Sequence, residues 1–89
     1  MNKKIRFSII TVVKNDVKNI EKTIKSVLNQ SFKNYEYIII DGKSNDGTVK
    51  VVKKYKNKIC KFISEKDKNL WDGINKGIKK SKGEIIFIL

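Results

Sequence analysis

The hydrophobic positions of this chain switch back and forth between two spacings. Residues 7–13, FSIITVV, form a β-branched run with no helical spacing and predict a strand buried on both faces. Val17, Ile20, Ile24, Val27 and Leu28 then recur at the spacing of an amphipathic helix, with Asp16 placed as its N-cap. Residues 35–40, YEYIII, return to strand character, and Val49, Val52 and Tyr55 make the next helical stripe, entered through Asn45, Asp46 and Gly47. Residues 59–63 predict a third short strand. Leu70, Trp71, Ile74 and Ile78 predict a third helix, stopped at Ser81, Lys82 and Gly83, with the glycine suited to C′. Residues 84–89 open a fourth strand. The order β-α-β-α-β-α-β with short connections predicts a three-layer α/β/α fold around a mainly parallel sheet, and 89 residues fit a single domain over 1–89.

In an open parallel sheet, ligands gather at the carboxyl ends of the strands, near a topological switch point. The predicted tips are Val13-Lys14-Asn15-Asp16, Asp41-Gly42-Lys43-Ser44 and Ser64-Glu65-Lys66-Asp67, all polar or charged. Strand ends are commonly polar, and Asp16 and Asp46 read first as helix caps. Asp41 differs. It follows three isoleucines directly and stands about five residues before the next helix, so it is not that helix's cap. A carboxylate at such an edge accepts hydrogen bonds from a base imide N–H or a ribose hydroxyl. On the third helix Asp72 and Asn75 are three apart beside the apolar face, while Gly73 and Gly77, four apart, suit a close approach to a neighbouring element. Neither G-x-G-x-x-G nor G-x-x-x-x-G-K-[ST] occurs, which excludes the standard dinucleotide fingerprint and the P-loop.

Charge widens the field of partners. Lysine and arginine number 21 against 9 acidic residues, a formal net charge of +12. That excess favours nucleotide phosphates, nucleic acid or an anionic membrane surface, though a lysine-rich solvated surface and an A+T-rich genome give the same bias. Cys60 is the only cysteine, so no internal disulfide forms, a reducing compartment fits, and its apolar neighbours predict a small buried hydrophobe. With no histidine and one cysteine, zinc has no ligand set here. The basic start and short apolar run at residues 1–13 lack a small-residue cleavage site, and no stretch approaches the ~18 apolar residues of a membrane span.

Several ordered motifs together resemble the N-terminal nucleotide-binding part of family-2 glycosyltransferases with the GT-A fold. They are SIITVVKN at 8–15, TIKSVLNQSF at 23–32, YEYIIIDGKSNDGT at 35–48, SEKD at 64–67, WDGINKGI at 71–78 and KGEIIFIL at 82–89. The closest likeness is to members acting in polysaccharide biosynthesis. The resemblance implies a partial, Rossmann-like GT-A domain and an inverting transferase that uses a nucleotide diphosphate sugar, UDP-sugar foremost, with a glycan or lipid-linked acceptor. It implies that Thr11, Val13 and Asn15 line the nucleotide pocket and that Asp41, with Ser44 in its loop, meets the base. By the same likeness Glu65 and Asp67 border the nucleoside and sugar, and Asn75 falls near the donor, with Asp72 a weaker candidate.

Two departures qualify that likeness. Gly42 stands where a second acidic residue is commonest. The family's fourth strand runs into an Asp-x-Asp or Asp-Asp metal motif, whereas this sequence ends at Leu89 inside the apolar run. The expectation is therefore a truncated, inactive donor-binding part with no catalytic residue and no metal ligand of its own, Mg or Mn belonging to the full-length enzyme. Cytoplasmic location, at or near the inner membrane face, is expected with it. The competing readings are a small basic nucleic-acid-binding α/β domain and an interaction module whose exposed fourth strand pairs with another copy. The first lacks a recognised module, and its aromatics Tyr35, Tyr37 and Tyr55 fall at core positions.

Overall fold

A computed structural model describes residues 7–30, 34–83 and 85–88. Along the chain come β1 (Phe7–Val13), α1 (Ile20–Leu28), β2 (Tyr35–Asp41), α2 (Thr48–Lys53), a 3-10 turn (Lys56–Lys58), β3 (Lys61–Ser64), α3 (Leu70–Lys80) and β4 (Ile85–Ile88). The strands form one parallel sheet in the order β3-β2-β1-β4. The order reverses between β1 and β4, which puts the topological switch point at the tip of β1.

Strand alternation sorts the core into two layers. Ile9, Val13, Tyr37 and Ile39 face α1 and α2, meeting Ile20, Ile24, Val27 and Val52. Ile10, Ile38 and Ile40 face the other way with Val12 and Ile63. There α3 comes down on the sheet through its two glycines: a Cβ on Gly77 would lie 2.5 Å from Ile10 Cγ2, and one on Gly73 would lie 2.7 Å from Val12 Cγ1. The predicted three-layer α/β/α architecture is the observed one. Tyr37 is buried, and Tyr35 and Tyr55 pack partly buried against the same core.

Four local expectations are corrected. The first helix starts at Ile20, with Asn19 and not Asp16 at its N-cap, because the Asp16 carbonyl accepts from both Asn19 and Ile20 and forms a turn first. Val17 is consequently outside the helix and exposed. The third strand begins at Lys61, since the 3-10 turn occupies the approach; Ile59 is still buried, but Cys60 is exposed. Leu70 and Trp71 are 61% and 70% exposed, so the buried stripe of α3 is Gly73, Ile74 and Gly77 alone. Finally, α3 is closed by Ser81, whose N–H and hydroxyl both donate to the Ile78 carbonyl. Gly83 serves a different need, since a Cβ there would meet Ser8 Oγ at 2.6 Å and the Phe7 carbonyl carbon at 2.7 Å.

At the amino end of the sheet a buried acid ties this passage down. The Glu36 side chain accepts from Ser8 Oγ at 2.7 Å and from the Lys82 N–H, while the Gly83 N–H donates to Ser8 Oγ at 2.8 Å. Glu36 thereby links β1, β2 and the α3–β4 connection at the end of the sheet away from the strand tips.

Candidate functional site

Parallel register brings the three tips level. Val13 pairs with Asp41, and Asp41 with Ser64. Beyond them the backbone continues the ladder, Gly42 N–H to the Val13 carbonyl at 2.8 Å and Glu65 N–H to the Asp41 carbonyl at 2.9 Å.

Asp41 is fully buried and organises this edge. Its carboxylate accepts from Ser44 N–H at 2.9 Å, from the Ser44 hydroxyl, and from the Ser64 hydroxyl at 2.7 Å. An ionised carboxylate has about four acceptor positions, so three are taken by the protein itself. Ser44 in turn receives the Asn15 N–H at 2.7 Å, and Asn15 Oδ1 accepts the Asn45 N–H at 2.8 Å. Asn15 adopts a left-handed φ of 51°, which asparagine tolerates better than most residues. Further along, Asp46 accepts Val17 N–H at 3.1 Å and Thr48 N–H at 3.0 Å, and Thr48 Oγ1 accepts Asp16 N–H. Two loops are thus fastened by side chain to backbone bonds, and the Thr48 hydroxyl holds the Asp46 carboxyl below its ordinary range.

The third tip is built around a lysine that the sequence reading passed over. Lys76 Nζ lies 2.5 Å from Asp67 Oδ1, 3.1 Å from Glu65 Oε1 and 3.7 Å from Asp72 Oδ2, and donates to the Lys66 carbonyl. The bond to Asp67 is the main cause that raises its ammonium far above the ordinary lysine range. The signal for it lay in the i, i+4 pair Asp72/Lys76 standing just after an acidic strand tip. Asn69 caps α3 by accepting Asp72 N–H at 3.0 Å, and the Asp72 carboxylate accepts Lys68 N–H at 2.9 Å in return, the main cause that lowers its pKa. Asp67 Oδ2 sits in space that two glycines leave: a Cβ on Gly73 would be 3.0 Å from it, and one on Gly42 3.3 Å. The carboxylate of Asp67 thus stands alongside Gly42.

Between β1 and the start of α3 opens a cleft of about 270 Å³, walled by Val12, Val13 and Lys14 on one side and by residues 67–70 on the other. That is near the lower end of the ~300–1,000 Å³ common for small-molecule sites. Lys14 and Lys68 face it, and the negative charge of Asp67 is offset by Lys76. An anionic ligand would meet two ammonium groups at the entrance of a helix N-terminus.

Among the sequence-predicted residues, Val13 and Asp67 line this cleft. Asn15, Asp41 and Ser44 form the bonded loop next to it, and Glu65 lies at the Lys76 cluster, its side chain 56% exposed. Thr11 stands behind the cleft in the core, 4% exposed, sharing a 2.8 Å hydrogen bond with the Tyr37 hydroxyl. Asn75 is exposed on α3 and is not part of the cleft wall. Lys68 and Lys76 have no role in the sequence reading, Lys14 stands there only within the first strand tip, and Leu70 only as an apolar position of the third helix.

The donor set does not make a metal site. Asp41 is occupied by hydroxyl and amide donors and Asp67 by an ammonium, and among the described residues no group of three His, Cys, Asp or Glu side chains could hold a metal ion. Also among the described residues, no helix is long and apolar enough to cross a membrane.

A parallel sheet with its tips aligned beside a lysine-flanked cleft is an α/β domain with its candidate site at the strand tips, and comparison with known proteins gives the family. The glycosyl transferase family 2 model matches residues 8–89, and the chain belongs to that family. It is 40% identical over 89 residues to the poly(ribitol-phosphate) beta-N-acetylglucosaminyltransferase TarP of Staphylococcus aureus (strain N315), covering 94% of this chain and 27% of the relative. It is 33% identical over 85 residues to the cholesterol galactosyltransferase of Borreliella burgdorferi, covering 93% of this chain and 24% of the relative. The chain thus spans about a quarter of the length of these relatives. Among solved structures, S. aureus TarS 1-349 in complex with UDP-GlcNAc superposes with a TM-score of 0.86 at 26% identity, over 94% of this chain and 26% of that one. The mannosyltransferase PcManGT from Pyrobaculum calidifontis, solved with GDP-Man and Mn2+, shares the fold with a TM-score of 0.84 at 20% identity. The fold is that of GT-A glycosyltransferases, as the sequence motifs implied.

Proposed function

We propose that this chain supplies the donor-binding edge of a glycosyltransferase, holding the nucleoside diphosphate part of a UDP-sugar for transfer to a glycan or lipid-linked acceptor. The observation that carries the reading is the cleft at the aligned strand tips, faced by Lys14 and Lys68 and backed by the Asp41 and Asp67 networks. The likeness to TarS, solved with UDP-GlcNAc, supports a uridine nucleotide over other bases. The ammonium groups of Lys14 and Lys68 would meet phosphate oxygens, and the loop that follows Asp41 would meet the base and ribose through its backbone, its shape held by the buried Asp41 carboxylate.

Inverting transfer is a displacement at the anomeric carbon: the acceptor oxygen bonds to it, the diphosphate leaves with the electron pair, and a base takes the acceptor proton. The assigned residues bind and orient; none is given the role of that base, and no step is assigned to a divalent metal. A reducing, cytoplasmic setting accords with the exposed lone Cys60.

Amide-correlation NMR of the 89-residue chain, titrated with UDP, UDP-GlcNAc and GDP, tests the reading. Shifts should concentrate at residues 13–15, 41–44 and 67–69, with UDP stronger than GDP. A dispersed, folded spectrum that no nucleotide moves at millimolar concentration would sink it.

A further inference from the structure

The longest one-signed stretch of the chain lies away from the cleft. Residues 47–64 carry Lys50, Lys53, Lys54, Lys56, Lys58 and Lys61 and no acidic residue. All but Lys61 are exposed, on α2 and the 3-10 turn after it. Lys50, Lys53 and Lys54 recur at three and four residues and therefore share one face of α2. The neighbouring α1 adds Lys22 and Lys25, both exposed. The two helices adjoin there: the Tyr55 hydroxyl donates to Glu21 Oε2 at 2.6 Å, and Lys25 and Lys54 both act on that same carboxyl. Glu21 is the one acid on α1 and α2, and it is already engaged. Around α3 the pattern differs, since Lys76 there is bound up with Glu65, Asp67 and Asp72.

From this we infer that the outer face of the α1–α2 layer docks the protein on a bilayer surface bearing anionic phospholipid head groups. The face carries lysine ammonium groups and no arginine fork, which suits a diffuse anionic surface better than base or phosphate recognition in a nucleic acid. No aromatic of residues 47–64 is exposed for base stacking: Tyr55 and Phe62 are half-buried against the core. Large exposed apolar residues are likewise absent from that stretch, so attachment is at head-group level and electrostatic. The docking face is carried by the layer opposite α3, and the inference stands independently of what the cleft binds.

Vesicle co-sedimentation tests it, with phosphatidylcholine alone against a phosphatidylglycerol mixture, at low and raised sodium chloride. The chain should bind only the anionic vesicles and release as salt rises. A lysine held near such a surface is worth about fivefold in partitioning. Lys50→Glu, Lys53→Glu and Lys54→Glu together should therefore cut binding at least ~10-fold, while the same reversal at Lys66, Lys79 and Lys80 changes it by less than ~3-fold. Circular dichroism verifies that both variants stay folded. Absence of binding to anionic vesicles, or equal losses in the two variants, would overturn the proposal. So would loss of duplex-DNA binding in the α2 variant with vesicle binding unmoved, which would point to a nucleic-acid partner instead.

Discussion

Asp41 receives three protein donors in a fully buried position, so its first task is to join the tips of β2 and β3 through Ser64 and to shape the loop through Ser44. Binding and stability are therefore coupled at this one side chain. Asp41→Ala removes a fully buried acceptor from the half-buried Ser44 and the exposed Ser64, which water can partly serve instead, and should cost about 1–2 kcal/mol. Asp41→Asn keeps the volume and one carbonyl oxygen but points an NH2 toward groups that donate, and should cost roughly half as much. Urea unfolding of the two variants checks the order. Equal stability of Asp41→Ala and the parent would mean that solvent reaches those donors and that the network is not structural.

At the scale of elements, α3 depends on residues it lacks. Alanine is about 1 kcal/mol better than glycine inside a helix, yet a Cβ at Gly77 would lie 2.5 Å from the stiff Cγ2 of Ile10. Overpacking of that kind costs typically ~1–3 kcal/mol, so Gly77→Ala should be net destabilising by about 1 kcal/mol, seen as a lowered unfolding midpoint. A raised midpoint would show that α3 can lift off the sheet freely. The same geometry explains what the sequence revealed and what it hid. Tri-isoleucine and β-branched runs marked β1 and β2 nearly to the residue, because a strand buried on both faces reads as a near-continuous apolar run even with Ser8, Thr11 and Glu36 set in it. The apolar period also marked α3, but read Leu70 and Trp71 as core; they belong to the turn that overhangs the strand tips, where Leu70 borders the cleft and no sheet lies beneath. The start of α1 was misjudged because a turn at residues 17–19, held by Asp46 from 29 positions away, precedes the helix. Asp41 stood out as a carboxylate ending an apolar run. Glu36 did not, because its partners Ser8 and Lys82 arrive from distant segments; Lys76 did not, because it reads locally as a solvent-facing charge although Glu65, Asp67 and Asp72 all lie close to it in sequence.

For the molecule as a whole, charge is the term that most distinguishes it from a generic small α/β domain. The chain carries a net +12, and among the described residues the acids are largely committed to networks around Asp41, Asp46, Glu36 and Lys76. The exposed lysines of α1 and α2 consequently face mostly one another. Like charges repel across the Debye length, which is ~30 Å at 0.01 M salt and ~10 Å at 0.1 M, so at low salt nearly every lysine feels every other. The unfolded chain spreads the same charges farther apart and suffers less. Raising sodium chloride from about 10 mM to about 200 mM should therefore raise the thermal midpoint by several degrees, since 1 kcal/mol shifts Tm by ~4–8 °C for a domain near this size. The triple α2 reversal to glutamate should blunt that rise, because it removes the repulsion at its densest point and introduces attraction to Lys56 and Lys58. A midpoint independent of salt in the parent would mean that the lysines are too solvated to act on one another, and the basic face would then have no field with which to reach a membrane.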